Sequence, residues 1–393
     1  MLFNTTCLLF LSNYTRALFL VTLSYITVNF TIVMKPFFIE PDIARAKTIT
    51  TDFYTNPQYF EASKEKIFGK SWQFVGDTDL VKEPGQCHPF ILLENYFDEP
   101  LLLTKDKQHQ LHCLSNVCTH RGTIVVNGPC RVTNLRCRYH GRLFQLDGRF
   151  LNMAEFKEVE NFPSEEDNLK NLPLFQWGKW LFTSVENSIL PEKYFGEMMQ
   201  RLNWLPINEF EMRRDLCKDY MVDANWALYC ENYLEGLHIP FVHAGLSAVI
   251  DFGNYSTELF HYSSLQLGIA KHEADCFDLP SSSQDYGKNV GAYYFWVFPN
   301  MMFNFYPWGL SVNIIEPVSI NKTKVSFVSY VWREELLTTG AGSALERVER
   351  EDEEVVEAVQ RGIRSRFYNY GRYSVTREKG THHFHRLIAE FMQ

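Results

Sequence analysis

CTHRGTIVVNGPCRVTNLRCRYH, residues 118–140, holds Cys118-Thr119-His120 and Cys137-Arg138-Tyr139-His140, with sixteen residues between His120 and Cys137. Each short loop supplies one thiol and one imidazole. Structural zinc modules usually pair Cys-x-x-Cys with His-x-x-x-His or with a second cysteine pair, so one donor of each kind per loop is the wrong distribution for zinc. It suits a two-iron, two-sulfide cluster in which both cysteines hold one iron and both histidines hold the other. A zinc clip and fortuitous core residues are the alternatives. Gly122, Gly128-Pro129 and Gly141 supply the tight turns that bring backbone N–H groups up to cluster sulfurs. Cys113 and Cys130 lie close by without the spacing and read as small buried residues.

On either side of this stretch the chain is punctuated as a β-domain. Short apolar runs such as Pro89–Leu93 and Pro100–Thr104 are separated by turn residues, and Asp147-Gly148 is a two-residue hairpin signal. The pattern runs to about residue 186, preceded by a helix-like run from Phe60 to Phe74. The domains expected are 34–70, a helical segment packing on the last domain; 71–186, the cluster domain; and 187–393, a mixed domain. The last carries helices near Pro191–Leu202 and Trp226–Leu237, aromatic strands over Ala292–Val312, and a long helix over Ser343–Arg364. Ser343 and Glu346 have capping-box spacing.

The composition limits the function. With 393 residues, 46% hydrophobic and 22% charged, the chain folds around real cores and is neither disordered nor a single small module. Its net charge is −9 and it has no long Lys/Arg block, which excludes nucleic acid as a partner. Nine scattered cysteines do not make a secreted disulfide framework and fit a reducing cytoplasm. Ala17–Met34 is an uncharged stretch of 18 residues, but Thr22, Ser24, Thr27, Asn29 and Thr31 dilute it. No stable membrane insertion is expected, and residues 1–33 read as the product of an upstream start or as a weak hydrophobic segment.

A second constellation lies at Glu231–His243, where His238 and His243 are five residues apart around Pro240. An unbroken helix would set them about 140° apart, so Pro240 is expected to break the helix and swing His243 back towards His238. The carboxylate of a two-histidine, one-carboxylate metal site is sought on the long helix. Asp352 falls at the centre of the stripe formed by Leu345, Val348, Val355, Val356, Val359 and Ile363, whereas Glu351, Glu353, Glu354 and Glu357 point away. An acid there is costly unless it is paired or holds a metal; a buried Asp satisfied by Arg or backbone donors is the alternative. Tyr294, Trp296, Phe303, Phe305 and Trp308 belong to an aromatic hairpin around Pro299-Asn300. Such a hairpin either packs a sheet or lines a substrate pocket able to hold a quaternary ammonium by cation–π attraction.

Together these motifs resemble the Rieske non-haem iron oxygenase α subunits over roughly residues 40–393. Arg121-Gly122 after the first pair, Glu351-Asp352 with Glu357–Gly362, Tyr294–Leu310 and Gly380–His385 carry the resemblance. Within that family they point to the choline, carnitine and glycine-betaine monooxygenase branch. The resemblance implies an α+β fold: a Rieske β-sandwich followed by a helix-grip (START-like) catalytic domain with antiparallel sheet. It also implies a [2Fe-2S] cluster on Cys118, His120, Cys137 and His140, and Fe(II) on His238, His243 and Asp352. Glu235 is implied as the acid that carries electrons from a neighbouring subunit's cluster; Glu rather than Asp there points away from arene dihydroxylation. The implied activity is a terminal oxygenase that hydroxylates or oxidatively demethylates a small quaternary ammonium compound. Its co-substrates are O₂ and NAD(P)H electrons delivered by a flavin/ferredoxin-type reductase, and the assembly is a homotrimer. An arene ring-hydroxylating dioxygenase is the rival enzyme. A Rieske electron carrier would lack the second constellation, and a lipid-binding helix-grip module would lack both.

Overall fold

The computed structural model describes residues 34–186, 189–343 and 345–393. The expected 1–33 segment lies outside the described residues, and so does its apolar stretch except Met34. The described chain opens with α1 (Asp52–Thr55) and α2 (Pro57–Ser63). Asn56 caps α2 by accepting from the Gln58 N–H, and Pro57 takes the first helical position, where a missing N–H costs nothing. The helix-like run expected to reach Phe74 ends sooner. It passes through one wide turn at Lys64–Phe68 before a strand begins at Gln73.

Eleven short strands follow: β1 (Gln73–Asp77), β2 (Gln86–Leu92), β3 (Glu99–Lys105), β4 (Leu111–Ser115), β5 (Cys130–Arg131), β6 (Leu135–Arg136), β7 (Leu143–Phe144), β8 (Phe150–Asn152), β9 (Asn171–Leu172), β10 (Leu174–Trp177) and β11 (Trp180–Thr183). They form sheets in the orders β5-β2-β3-β4-β9, β6-β7-β8 and β1-β11-β10. Asp147-Gly148 turns β7 into β8 with Gly148 at φ +89°. A side chain there would meet Leu114 and the Leu169 carbonyl at 3.0 Å. Leu102, Leu114, Leu135, Phe144 and Leu146 make the core on which Cys118 and Cys137 also sit.

The second half contains α3 (Glu192–Arg201), β12 (Glu211–Met212), β13 (Lys218–Val222), α4 (Trp226–Tyr233), α5 (Ile239–Val242), α6 (Ala244–Val249), β14 (Ser256–Leu259), β15 (Ser263–Ile269), β16 (Val290–Val297), β17 (Met301–Tyr306), β18 (Gly309–Ser319), β19 (Lys322–Val331), α7 (Leu345–Gly362) and α8 (Lys379–Phe391). Its eight-stranded antiparallel sheet runs β12-β19-β18-β17-β16-β15-β14, with β13 also on β19. α4 packs on β18, α7 and α8. The Ser343–Glu346 capping box does not form. The Ser343 hydroxyl donates to the Gly340 carbonyl, and the Glu346 carboxylate pairs with Lys218 and Arg350.

Candidate metal centres and substrate cavity

The two Cys-His loops repeat one hydrogen-bond design. Cys118 N–H donates to Thr123 and Gly122 N–H to Cys118, both at 2.9 Å; Cys137 N–H donates to Arg142 at 2.9 Å and Gly141 N–H to Cys137 at 3.0 Å. Gly122 and Gly141 have φ of +68° and +76°. A Cβ at either would meet nothing, so the left-handed backbone alone calls for glycine. The loops bury Cys118 and Cys137 in the domain core and lift His120 and His140 outward, their rings 4.7 Å apart. Burial pushes the Cys118 thiol up, while the N–H groups of His120 and Arg121 donate to its sulfur and oppose that shift. Sulfurs inside, imidazoles at the tips and N–H groups aimed at sulfur fit a [2Fe-2S] cluster with a cysteine end and a histidine end. Arg142 braces the second loop, its guanidinium 2.6 Å from Asp167 and 4.9 Å from the Phe150 ring.

The second centre is built where α4 stops. The helix already ends at Tyr233, and Pro240 lies in the first turn of α5 rather than breaking one continuous helix. His238 and His243 bracket α5 as its N- and C-caps, which turns their rings to a centroid separation of 5.0 Å. Asp352 arrives from α7, with Oδ1 at 3.0 Å from His243 Nε2 and 3.6 Å from His238 Nε2. Among the described residues, this trio is the one group of three His, Cys, Asp or Glu whose donor atoms all lie within 4.8 Å of one another.

The outer nitrogens are also paired. His238 Nδ1 lies 2.5 Å from Glu235 Oε1, and His243 Nδ1 lies 2.8 Å from Glu351 Oε2. A carboxylate at Nδ1 fixes the proton there, leaving an Nε2 lone pair facing Asp352. Three electron-rich atoms then converge, an arrangement that needs a cation or a proton between them. Burial disfavours charge on His243, but Asp352 and Glu351 outweigh it and raise its pKa. Two imidazoles and one carboxylate fit iron with open positions. Asn232 donates to Asp352 Oδ1 at 2.5 Å and holds that carboxylate in place. Glu235 is not helical: it accepts from the Leu237 N–H and caps the loop that presents His238.

A cavity of about 100 Å³ opens beside this trio. Tyr229, Tyr233, Tyr255, Tyr294, Tyr306, Gln266 and Glu349 are among its walls. Of the five rings expected around a substrate, Tyr294 lines it; Trp296, Phe303, Phe305 and Trp308 do not. Strand alternation is the reason. Phe303 and Phe305 are on the opposite face of β17, where they pack on Phe182, Trp177 and Trp180 of the cluster-side sheet. Trp296 shares the cavity's face but lies further along, edge-on to Phe384 of α8. Trp308 stacks behind Tyr306 at 5.2 Å.

The buried face of α7 is also rotated from the expected stripe. Val359 is exposed, while Glu349, Val356 and Gln360 are buried. The polar pair is accommodated because Glu349 lies 2.6 Å from the Tyr229 hydroxyl and Gln360 accepts from the Asn225 N–H at 2.8 Å. Glu351, expected to point away, reaches His243. Sequence reasoning missed Glu349 and Glu351, although Glu349 stands one helical turn before Asp352 and so shares its face.

Two family models cover the chain: the Rieske [2Fe-2S] domain over residues 71–163 and the ring hydroxylating alpha subunit catalytic domain over 203–393. Chloroplastic choline monooxygenase of Arabidopsis thaliana is 30% identical over 365 residues, spanning 88% of this chain and 83% of that protein. The carnitine monooxygenase oxygenase subunit of Acinetobacter baumannii is 28% identical, spanning 90% and 96%. The crystal structure of the quaternary ammonium Rieske monooxygenase CntA with L-carnitine superposes with a TM-score of 0.71 at 27% identity, covering 90% of this chain and 97% of that one. The two Cys-His loops, the histidine-carboxylate trio and these matches agree. The chain is a member of the Rieske non-haem iron oxygenases, in the branch of the choline and carnitine monooxygenases.

Proposed function

We propose that this protein is the terminal oxygenase for a small quaternary ammonium compound. The reading rests on the cavity beside His238, His243 and Asp352, walled by tyrosine rings and by the carboxylates of Glu235, Glu349 and Asp352. A permanent cation cannot shed its charge on burial, so it needs aromatic faces and carboxylates to replace water. Cys118, His120, Cys137 and His140 would hold the cluster, and His238, His243 and Asp352 the mononuclear iron. Once bound, the cluster would supply stored electrons and the iron would supply O₂ activation, the chemistry needed for one oxygen atom to enter a substrate C–H bond while the other leaves as water.

The chain's own residues supply position and protection. Glu235 and Glu351 orient the two imidazoles, Asn232 orients Asp352, and the tyrosines exclude bulk water from the substrate. NAD(P)H supplies the two electrons through a flavin/ferredoxin-type reductase. If the hydroxylated carbon bears the nitrogen, the carbinolamine collapses to an aldehyde and an amine. His140 and Tyr139 are exposed at the loop tip. This suits docking on a neighbouring copy within a homotrimer, where Glu235 would pass electrons between subunits. Among the described residues no helix is long and apolar enough to cross a membrane; we place the enzyme in the cytoplasm, where its cysteines stay reduced.

The test is oxygen uptake by the reductase-coupled protein, with aldehyde and formaldehyde analysis, against choline, carnitine, glycine betaine and simple arenes. Coupled turnover of at least one trimethylammonium compound and uncoupled or absent turnover of arenes is expected. Efficient arene dihydroxylation would replace this reading with the dioxygenase one.

A further inference from the structure

Glu349 and Gln266 stand on the cavity wall with no part in holding either metal centre. Glu349 is 4% exposed, and the Tyr229 hydroxyl, 2.6 Å from both its oxygens, is its side-chain hydrogen-bond partner. Gln266 is 2% exposed. Its Nε2 donates to the Tyr233 carbonyl at 2.6 Å, which fixes the amide, and among the described residues its Oε1 has no hydrogen-bond partner. A buried acceptor left open costs free energy unless a ligand supplies a donor.

The rest of the wall is equally selective. Among the described residues that line the cavity there is no lysine or arginine. Arg377, whose guanidinium donates to the Tyr255 carbonyl at 3.0 Å and covers the Phe252 ring, is committed elsewhere. Away from the residues that would hold iron, a substrate carboxylate would therefore meet Glu349 and no lysine or arginine, and could donate nothing to Gln266. The cavity volume has room for roughly seven to ten water-sized groups, enough for a compact amino alcohol.

Building on the quaternary ammonium reading, we infer that Glu349 and Gln266 set the substrate class: a compact trimethylammonium alcohol, its cation against Glu349 and its hydroxyl donating to Gln266 Oε1, chosen over zwitterions that carry a carboxylate. Burial pushes the Glu349 carboxyl up to about 8 against the opposing hydrogen bond from Tyr229, so Glu349 becomes the counter-charge by giving up its proton as the cation arrives, while Gln266 is the gauge for the hydroxyl.

The test is calorimetric binding to the purified holo-oxygenase. The probes are choline; 3,3-dimethylbutan-1-ol, its uncharged isostere; ethyltrimethylammonium, which lacks the hydroxyl; and glycine betaine, which carries a carboxylate. Wild type should bind choline roughly 30-fold or more tightly than the uncharged isostere or glycine betaine, and about fivefold to tenfold more tightly than ethyltrimethylammonium. Glu349→Gln should close the gap between choline and its isostere. Gln266→Leu should close the gap between choline and ethyltrimethylammonium. Cluster absorbance and a melting curve verify that both variants fold; if either does not, the wild-type series alone decides. Wild type that binds glycine betaine as tightly as choline overturns the inference and leaves the quaternary ammonium reading standing. Equal loss of choline and the isostere in Glu349→Gln removes Glu349 from the recognition of charge. If no trimethylammonium probe binds while a simple arene does, both the inference and the broader reading fall.

Discussion

Asp352 is the residue whose removal separates the two centres. Asp352→Ala deletes the carboxylate on which both Nε2 atoms converge and leaves the cluster loops untouched. Iron should fall from about three to about two atoms per chain while acid-labile sulfide stays at about two, measured by metal and sulfide analysis. Cys137→Ser should act in the other sense and abolish the reduced-state Rieske EPR signal, since a hydroxyl does not replace a thiolate ligand; stoichiometric zinc without sulfide in wild type would end the cluster reading. Glu235→Gln keeps the shape of the loop around His238 but loses its charge, so single-turnover oxidation of the cluster should slow while both metals remain. Residues of this kind were legible because their chemistry is written in spacing: Cys-x-His, Cys-x-x-His and a histidine pair around proline survive any packing. Glu349 and Glu351 were not, because the angle at which α7 meets the site is set by Tyr229, Asn225 and His243, residues more than a hundred positions away along the chain.

Among the elements, the β6-β7-β8 meander and the loops it carries depend on Arg142. Its side chain is 2% exposed, pairs with Asp167 at 2.6 Å and lies against the Phe144, Phe150 and Phe162 rings. Burial raises the Asp167 carboxyl, but the Ser164 N–H and Arg142 overrule it and hold it below its ordinary value. A folded-state pKa below the unfolded one stabilises the fold above the unfolded pKa, and that stabilisation is lost as pH falls through the folded value. Arg142→Met should therefore cost about 1–3 kcal/mol near neutral pH, with the difference from wild type shrinking below about pH 4. Urea unfolding followed by cluster absorbance measures both. The aromatic hairpin shows where the sequence misleads at this scale. Period-2 alternation assigns half of β16 and β17 to each face, but only the neighbouring layers tell which face holds substrate: Tyr294 and Tyr306 meet the cavity, while Phe303 and Phe305 meet the cluster-side sheet.

For the whole molecule, that second aromatic face matters more than a substrate cage would have. Phe182 meets Phe303, Trp180 meets Phe305 and Tyr330, and the Tyr330 hydroxyl donates to Asp77 Oδ2 at 2.9 Å. Asp77 is 1% exposed and sits at the end of β1, so this bond ties the cluster-side sheet to β19 in the catalytic sheet. Burial and the Asp77 charge push the Tyr330 hydroxyl far up, which keeps it a donor at every physiological pH. Tyr330→Phe preserves the ring packing but leaves a buried carboxylate without that donor, at a cost of about 1–3 kcal/mol. Because the lost bond joins the two halves, the loss should be shared: visible absorbance of the cluster and near-UV signal from the catalytic aromatics should fall together at a lowered thermal midpoint. If the cluster signal instead melts first while the catalytic half keeps its wild-type midpoint, the halves unfold separately and the aromatic face between them is a contact surface rather than a shared core.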